Sequence, residues 1–141
     1  MSRKTAVLCH VSGMSFVAHA DSNHFVPIDS SADGGPTLAS SPMELLLISL
    51  GGCTGSDVVS ILQKKRTEVQ AFELHVTGER RDEHPKVYTR ISVEFVVRGR
   101  GIKSEDVERA IELSSTQYCS VSAMLRNGGV ELEYSYKILE E

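Results

Sequence analysis

The sequence predicts a single α+β domain in which antiparallel sheets surround a long central helix. Alternation of apolar and polar residues marks strands in three separate parts of the chain, and a nearly continuous apolar stretch lies between the first two parts. The chain has 141 residues, 40% of them hydrophobic and 24% charged, which is typical of a globular protein with one core. We therefore expect one domain over residues 1–141.

The N-terminal part, residues 1–29, predicts a meander of strands, because short alternating runs are separated by turn residues. Cys9 shares its strand phase with Val7 and Val11, so we expect Cys9 to be a core residue. A polar loop rich in Ser, Asp, Gly and Pro follows and ends at about residue 41. The three predicted strands are residues 5–11, 14–20 and 24–28.

Residues 41–66 predict the central helix. Ser41 suits the N-cap, Pro42 suits the first helical position, and Glu44 brings a negative charge to the positive end of the helix dipole. The first half of the segment is apolar on nearly every side, which indicates a helix that is buried all round.

Two features of this helix bear on its surroundings. Gly51, Gly52 and Gly55 are unfavourable inside a helix, so they indicate either close backbone packing or a break at Gly51-Gly52. A helix of roughly 26 residues spans about 39 Å, too long for one sheet of this chain to cover. We therefore expect a second subunit to cover it, in an intertwined homodimer.

The remaining elements alternate between strand and helix patterns. Residues 69–98 predict a β-hairpin of two long strands. Ser104 is expected to cap a helix that ends near Leu113, within a helical region over 104–127 that also contains a short helix at 120–127. A final strand is predicted over 130–138.

Composition excludes several function classes. The net charge of -4 leaves no basic face for nucleic acid. No run reaches the roughly 18 uninterrupted apolar residues that a membrane span requires. The N-terminus does not look like a secretory signal, so a cytoplasmic protein is expected. The three cysteines and five histidines lack the spacing of zinc ligands, so no metal is expected.

Two cysteine motifs resemble those of the OsmC/Ohr family, and most closely its YhfA-type branch. The first extends from Ser41 to Val59 and contains Cys53, and the second is Tyr118-Cys119-Ser120-Val121. The resemblance covers essentially the whole chain. It implies α+β subunits in a swapped homodimer whose central helices pack back to back. It also implies reduction of organic hydroperoxides by Cys53, with Cys119 resolving the sulfenic acid and a cellular dithiol as reductant, without a cofactor.

One part of the family pattern is altered here. Studied members pair the first cysteine with a glutamate directly after the proline at the helix start and with an arginine in the N-terminal hairpins. In this chain Met43 follows Pro42, and no arginine lies between Arg3 and Arg66. Glu44 is the candidate catalytic glutamate, although it also fits a role as a first-turn charge. Substitute arginines would be Arg80 or Arg81, which equally suit strand ends.

Two distant thiols that meet in the fold suit peroxide chemistry. The attacking cysteine must be a thiolate, and a second thiol must trap its sulfenic acid before further oxidation. A helix break at Gly51-Gly52 would put Cys53 at a helix start, where the dipole stabilises an anion, whereas in an unbroken helix it would lie about three turns in. Asp57, one turn beyond Cys53, is expected to have a structural role.

Two classes of function therefore remain open from the sequence. In the first, the protein is a thiol peroxidase that uses Cys53 and Cys119. In the second, a pocket at the dimer interface binds a small apolar or electrophilic molecule without turnover, and the cysteines act as sensors or relics.

Overall fold

The computed structural model describes residues 2–31 and 34–141. The chain forms two compact units, residues 1–46 and 47–141. That the chain is one domain stays a prediction.

The first unit contains a three-stranded antiparallel sheet in the order β1-β2-β3, close to the predicted meander. The expectation that Cys9 is a core residue is wrong for the single chain, because Cys9 is exposed. Cys9 lies on an edge strand whose seven residues are all exposed, so its strand phase does not select a buried face. The strands are β1 (Ala6–Ser12), β2 (Ser15–Ala20) and β3 (Phe25–Ile28).

One continuous helix, α1 (Pro42–Lys64), occupies most of the predicted segment. It begins with a capping box, in which the Ser41 hydroxyl accepts from the Glu44 N–H at 3.2 Å and the Glu44 carboxylate accepts from the Ser41 N–H at 2.9 Å. The helix does not break at Gly51-Gly52. Cys53 is therefore inside the helix, about three turns from its start.

The glycines of α1 allow the helix to approach the second sheet closely. A Cβ atom on Gly51 would lie 3.3 Å from Val76, and one on Gly55 would lie 3.2 Å from Leu74. By length and composition alone, α1 is apolar enough to cross a membrane, because an 18-residue window within it has a mean hydropathy of 1.7. Leu50, Val58 and Leu62 of α1 are buried within the chain, but Leu46 is 39% and Ile48 is 59% exposed. The expectation that this helix is buried all round is therefore wrong for the single chain.

The second unit contains a three-stranded sheet in the order β4-β5-β6. β4 and β5 form the predicted antiparallel hairpin, but β6 pairs with β5 in parallel. The expectation of antiparallel sheets is therefore wrong for this sheet, which is mixed. The helical crossover between β5 and β6 returns the chain to the end of the sheet where β5 begins, so β6 runs in the same direction. The strands are β4 (Glu68–Arg80), β5 (Tyr88–Arg100) and β6 (Glu131–Glu140).

The crossover consists of α2 (Ser104–Leu113), a π-helical turn (Ser114–Tyr118) and α3 (Ser120–Asn127). The sequence suggested Ser104 as the N-cap of α2, and this expectation is wrong. Lys103 takes that position with extended backbone, and its side chain makes no capping bond. The π-helical turn was not predicted, and it ends directly before Cys119.

Candidate functional site

Cys53 and Cys119 come together in the second unit, on α1 and at the start of α3. Both are free thiols. Cys53 is partly exposed, whereas Cys119 is only 3% exposed. The two side chains are close enough that Cys53 contributes to raising the pKa of Cys119. The fold thus places the two cysteines that the sequence analysis singled out near each other, as free thiols.

Cys119 is held at the junction of the π-helical turn and α3. Its N–H donates to the Ser114 carbonyl at 2.8 Å, which closes the π-helical turn. Its sulfur is the side-chain cap of α3 and accepts from the Ser122 N–H at 3.3 Å. The Ser122 hydroxyl donates to the Cys119 carbonyl at 2.9 Å. Both the backbone and the sulfur of Cys119 are therefore fixed by hydrogen bonds.

The surroundings of Cys119 favour its protonated form. Burial raises the pKa of the Cys119 thiol, the hydrogen bonds from Ser122 lower it, and the adjacent sulfur of Cys53 raises it again. The net direction is upward, because a buried thiolate loses its hydration. The environment of Cys119 thus favours the thiol over the thiolate.

A buried chain of hydroxyl groups connects α1 with the π-helical turn. Ser114 donates to the Asp57 carboxylate at 2.8 Å, and the Thr54 and Ser114 hydroxyl oxygens lie 2.9 Å apart. Thr54 and Ser114 are fully buried. The structural role expected for Asp57 matches this contact. The sequence analysis missed Thr54 and Ser114, and only the position of Thr54 beside Cys53 hinted at a role.

Tyr134 on β6 lies close enough to Cys119 for that residue to act on its pKa. The Tyr134 hydroxyl is buried and has no hydrogen-bond partner among the described residues, although Ser122 and Arg126 are close enough to act on its pKa. Burial raises the pKa of Tyr134, and the neighbouring Ser122 and Arg126 lower it. The sequence analysis also missed Tyr134, because its alternating strand pattern indicated only a partly buried face.

The other candidate residues make different contacts. The Glu44 carboxylate bonds Ser41 in the capping box, and the hydrogen bond from the Ser41 backbone lowers the pKa of Glu44. Arg80 donates to the Lys86 carbonyl and Arg81 to the Pro85 carbonyl, both in the turn between β4 and β5. These three side chains thus stabilise a helix start and a turn.

An open cavity of about 610 Å³ lies one turn along α1 from the cysteine pair. The cavity has mixed apolar and charged walls, and its lining includes Asp57, Ile61, Lys64, Leu113 and Tyr118.

Within residues 2–31 and 34–141, no group of three or more His, Cys, Asp and Glu side chains is arranged to hold a metal ion.

A protein-family model and a curated relative both match most of this chain. The family model described as OsmC-like protein matches residues 33–135. Protein YhfA from Escherichia coli strain K12 is 42% identical over 130 residues, which cover 92% of this chain and 93% of that protein.

Two solved structures extend the comparison. A hypothetical protein from Aquifex aeolicus has 33% identity and a TM-score of 0.88, with 100% of this chain and 99% of that chain covered. An organic hydroperoxide resistance protein OsmC from Legionella pneumophila has 14% identity and a TM-score of 0.68, with 97% and 98% covered. At that identity the second structure shows a shared α+β fold alone.

Proposed function

The chain belongs to the OsmC-like protein family, and we propose that it reduces organic hydroperoxides with Cys53 as the attacking sulfur and Cys119 as the resolving sulfur. The observation that supports this most strongly is the proximity of a partly exposed cysteine to a buried one, whose pKa it affects. A solved structure that shares the fold is described as an organic hydroperoxide resistance protein.

The proposed reaction has three balanced steps. The Cys53 thiolate attacks one peroxide oxygen, the O–O bond breaks, and Cys53 becomes a sulfenic acid while the alkoxide leaves and takes up a proton to form the alcohol. The Cys119 sulfur then attacks the Cys53 sulfur, which releases water and forms a disulfide. A dithiol reduces this disulfide by thiol exchange and becomes a disulfide itself.

The exposure of the two sulfurs supports this order. A hydroperoxide can reach Cys53 from solvent, whereas Cys119 is covered. Because the pKa of Cys119 is raised, this sulfur is mostly a thiol at neutral pH and reacts with a hydroperoxide more slowly than a thiolate would. The apolar first half of α1, which precedes Cys53 along the helix, favours an organic hydroperoxide over hydrogen peroxide.

We also propose that the active species is a homodimer in the reducing cytosol. On α1, Ile48 is 59% exposed and Leu46 is 39% exposed, which is unfavourable for a long apolar helix in water. A second copy would cover this surface. Light scattering should give about twice the 15.4 kDa mass of the chain, and a monomer at micromolar concentration would contradict the dimer.

A direct test is catalytic consumption of cumene hydroperoxide by the full chain, with dithiothreitol as reductant. We expect many turnovers per chain and a higher kcat/KM for cumene hydroperoxide than for hydrogen peroxide. No consumption above the rate of dithiothreitol alone would rule out the peroxidase.

A second candidate is a binding or sensing module for a small apolar or electrophilic molecule, without turnover. It is favoured by the contacts of Glu44, Arg80 and Arg81, which all bond groups of a helix start or a turn. Intact thiols after prolonged treatment with hydroperoxide would support this candidate.

A further inference from the structure

We propose that Ser114 is a positioning residue that holds Cys119 against Cys53 and thereby sets the rate of disulfide closure. This inference rests on the proposed function, and it concerns the second chemical step alone. Ser114 lies at the start of the π-helical turn. It forms hydrogen bonds with α1, the helix that contains Cys53, and also with the backbone of Cys119.

The side chain of Ser114 anchors the turn to α1. Its hydroxyl has a single hydrogen, which it donates to the Asp57 carboxylate at 2.8 Å. The Thr54 hydroxyl, 2.9 Å away, must then be the donor in the other bond. Thr54 directly follows Cys53 and Asp57 lies one turn beyond it, so both anchors belong to the part of α1 that contains the attacking sulfur.

The backbone of Ser114 holds the backbone of Cys119, the residue that contains the other sulfur. Its carbonyl accepts the Cys119 N–H at 2.8 Å across the π-helical turn. Ser114 and its two partners on α1 thus form a short path of hydrogen bonds from the residue next to Cys53 to the backbone of Cys119. Because Thr54 and Ser114 are fully buried, water cannot easily replace these bonds.

This path of hydrogen bonds matters because a disulfide forms only within a small range of distances and torsion angles between the two cysteines. The Cα atoms of bonded cysteines lie about 4.4–6.8 Å apart, and the torsion about the S–S bond is restricted. A displacement of about 1 Å between reacting groups can slow a reaction by as much as about a hundredfold. The attack of Cys53 on a small peroxide from solvent has no such dependence on the turn.

Loss of the link has a chemical signature. When closure is slow, the sulfenic acid of Cys53 persists and meets a second hydroperoxide. That molecule transfers one oxygen to the sulfur, which becomes a sulfinic acid, and leaves as the alcohol. The ratio of sulfinic acid to disulfide at a fixed hydroperoxide concentration therefore reports the rate of closure.

The test is stopped-flow oxidation of the reduced full chain by cumene hydroperoxide, followed by mass spectrometry. In Ser114→Ala we expect closure to slow about tenfold or more, with a matching rise in sulfinic acid, while sulfenic acid forms within about twofold of the wild-type rate. Thr54→Val keeps Ser114 and removes one anchor, so it should slow closure by a smaller factor, and it replaces Ser114→Ala if that variant does not fold.

Two controls separate positioning from general damage. Ser115→Ala alters the next residue of the same turn, whose hydroxyl donates to the Glu112 carbonyl, and it should close at the wild-type rate. Thr54→Ser retains the donor and should restore closure relative to Thr54→Val.

Each outcome bears on a different claim. Unchanged closure in both Ser114→Ala and Thr54→Val would overturn the positioning role and leave the proposed function standing. Equal slowing of both steps would indicate a merely structural effect and also overturn it. If the wild type forms no sulfenic acid, both the proposed function and this inference fail.

Discussion

Cys53 lies inside a helix and is partly exposed, whereas Cys119 lies at the start of a helix and is buried. The first sulfur can meet a molecule from solvent. The second accepts a hydrogen bond from the Ser122 N–H, the Cys119 backbone is bonded to Ser114, and burial raises the pKa of the Cys119 thiol. The difference teaches that two residues of one chemical type can have distinct environments in one chain, and the proposed function assigns them different roles for that reason.

The largest expected effect comes from removal of the exposed sulfur. Cys53→Ser should lower kcat/KM for cumene hydroperoxide by about a thousandfold or more, because a serine hydroxyl is not ionised at neutral pH. Turnover with dithiothreitol is the measurement. Cys9→Ser, which alters an exposed cysteine in the other unit, is the matched control and should retain wild-type activity.

Removal of the buried sulfur should separate the two steps. Cys119→Ser keeps a side-chain oxygen that can cap α3, so the fold should persist while closure is lost. We expect Cys53 to form a sulfenic acid that a dimedone probe traps, and to inactivate after roughly tenfold to hundredfold fewer turnovers as sulfinic acid accumulates. Undiminished turnover, with no sulfinic acid at high hydroperoxide concentration, would contradict a resolving role.

The pH dependence of closure should reflect the raised pKa of Cys119. A thiol with a raised pKa is mostly protonated at neutral pH, so its thiolate fraction grows about tenfold per pH unit until the pH reaches that pKa. The closing phase in stopped flow should therefore accelerate throughout the range below the ordinary pKa of a cysteine, 9.0, and beyond it. A closing rate that levels off near neutral pH would contradict this assignment.

The smallest expected effect concerns the groups that hold Cys119. The Ser122 hydroxyl donates to the Cys119 carbonyl and lowers the pKa of the thiol. In Ser122→Ala, the pH dependence of the rate of disulfide closure should therefore shift to higher pH. The free energy of unfolding should fall by about 1 kcal/mol. Urea denaturation and the stopped-flow profile measure the two effects. Ser120→Ala, at an exposed position of the same helix, is the control.

Local patterns in the sequence were enough to predict most elements. The alternation of apolar residues along β4 and β5 marks a sheet with one buried face, and Ser41, Pro42 and Glu44 mark the start of α1. Local patterns could not predict how distant elements pair. The parallel pairing of β6 depends on the crossover, and the exposure of Cys9 depends on the edge position of β1.

The same limit applies to the site. Two cysteines in specific motifs could be recognised, and the structure brings them together. The hydroxyl chain could not be recognised, because Thr54 and Ser114 are 60 residues apart and both are common residue types. Asp57 was expected to have a structural role, but its partner depends on a π-helical turn that has no clear signature in the sequence.

The most direct test of the central claim is to treat the reduced wild-type chain with one equivalent of cumene hydroperoxide and map the products by mass spectrometry. The account predicts loss of two thiols per chain, a mass decrease of about 2 Da, and a disulfide between Cys53 and Cys119 with Cys9 still free. Three intact thiols, or a disulfide that includes Cys9, would contradict the roles assigned to Cys53 and Cys119.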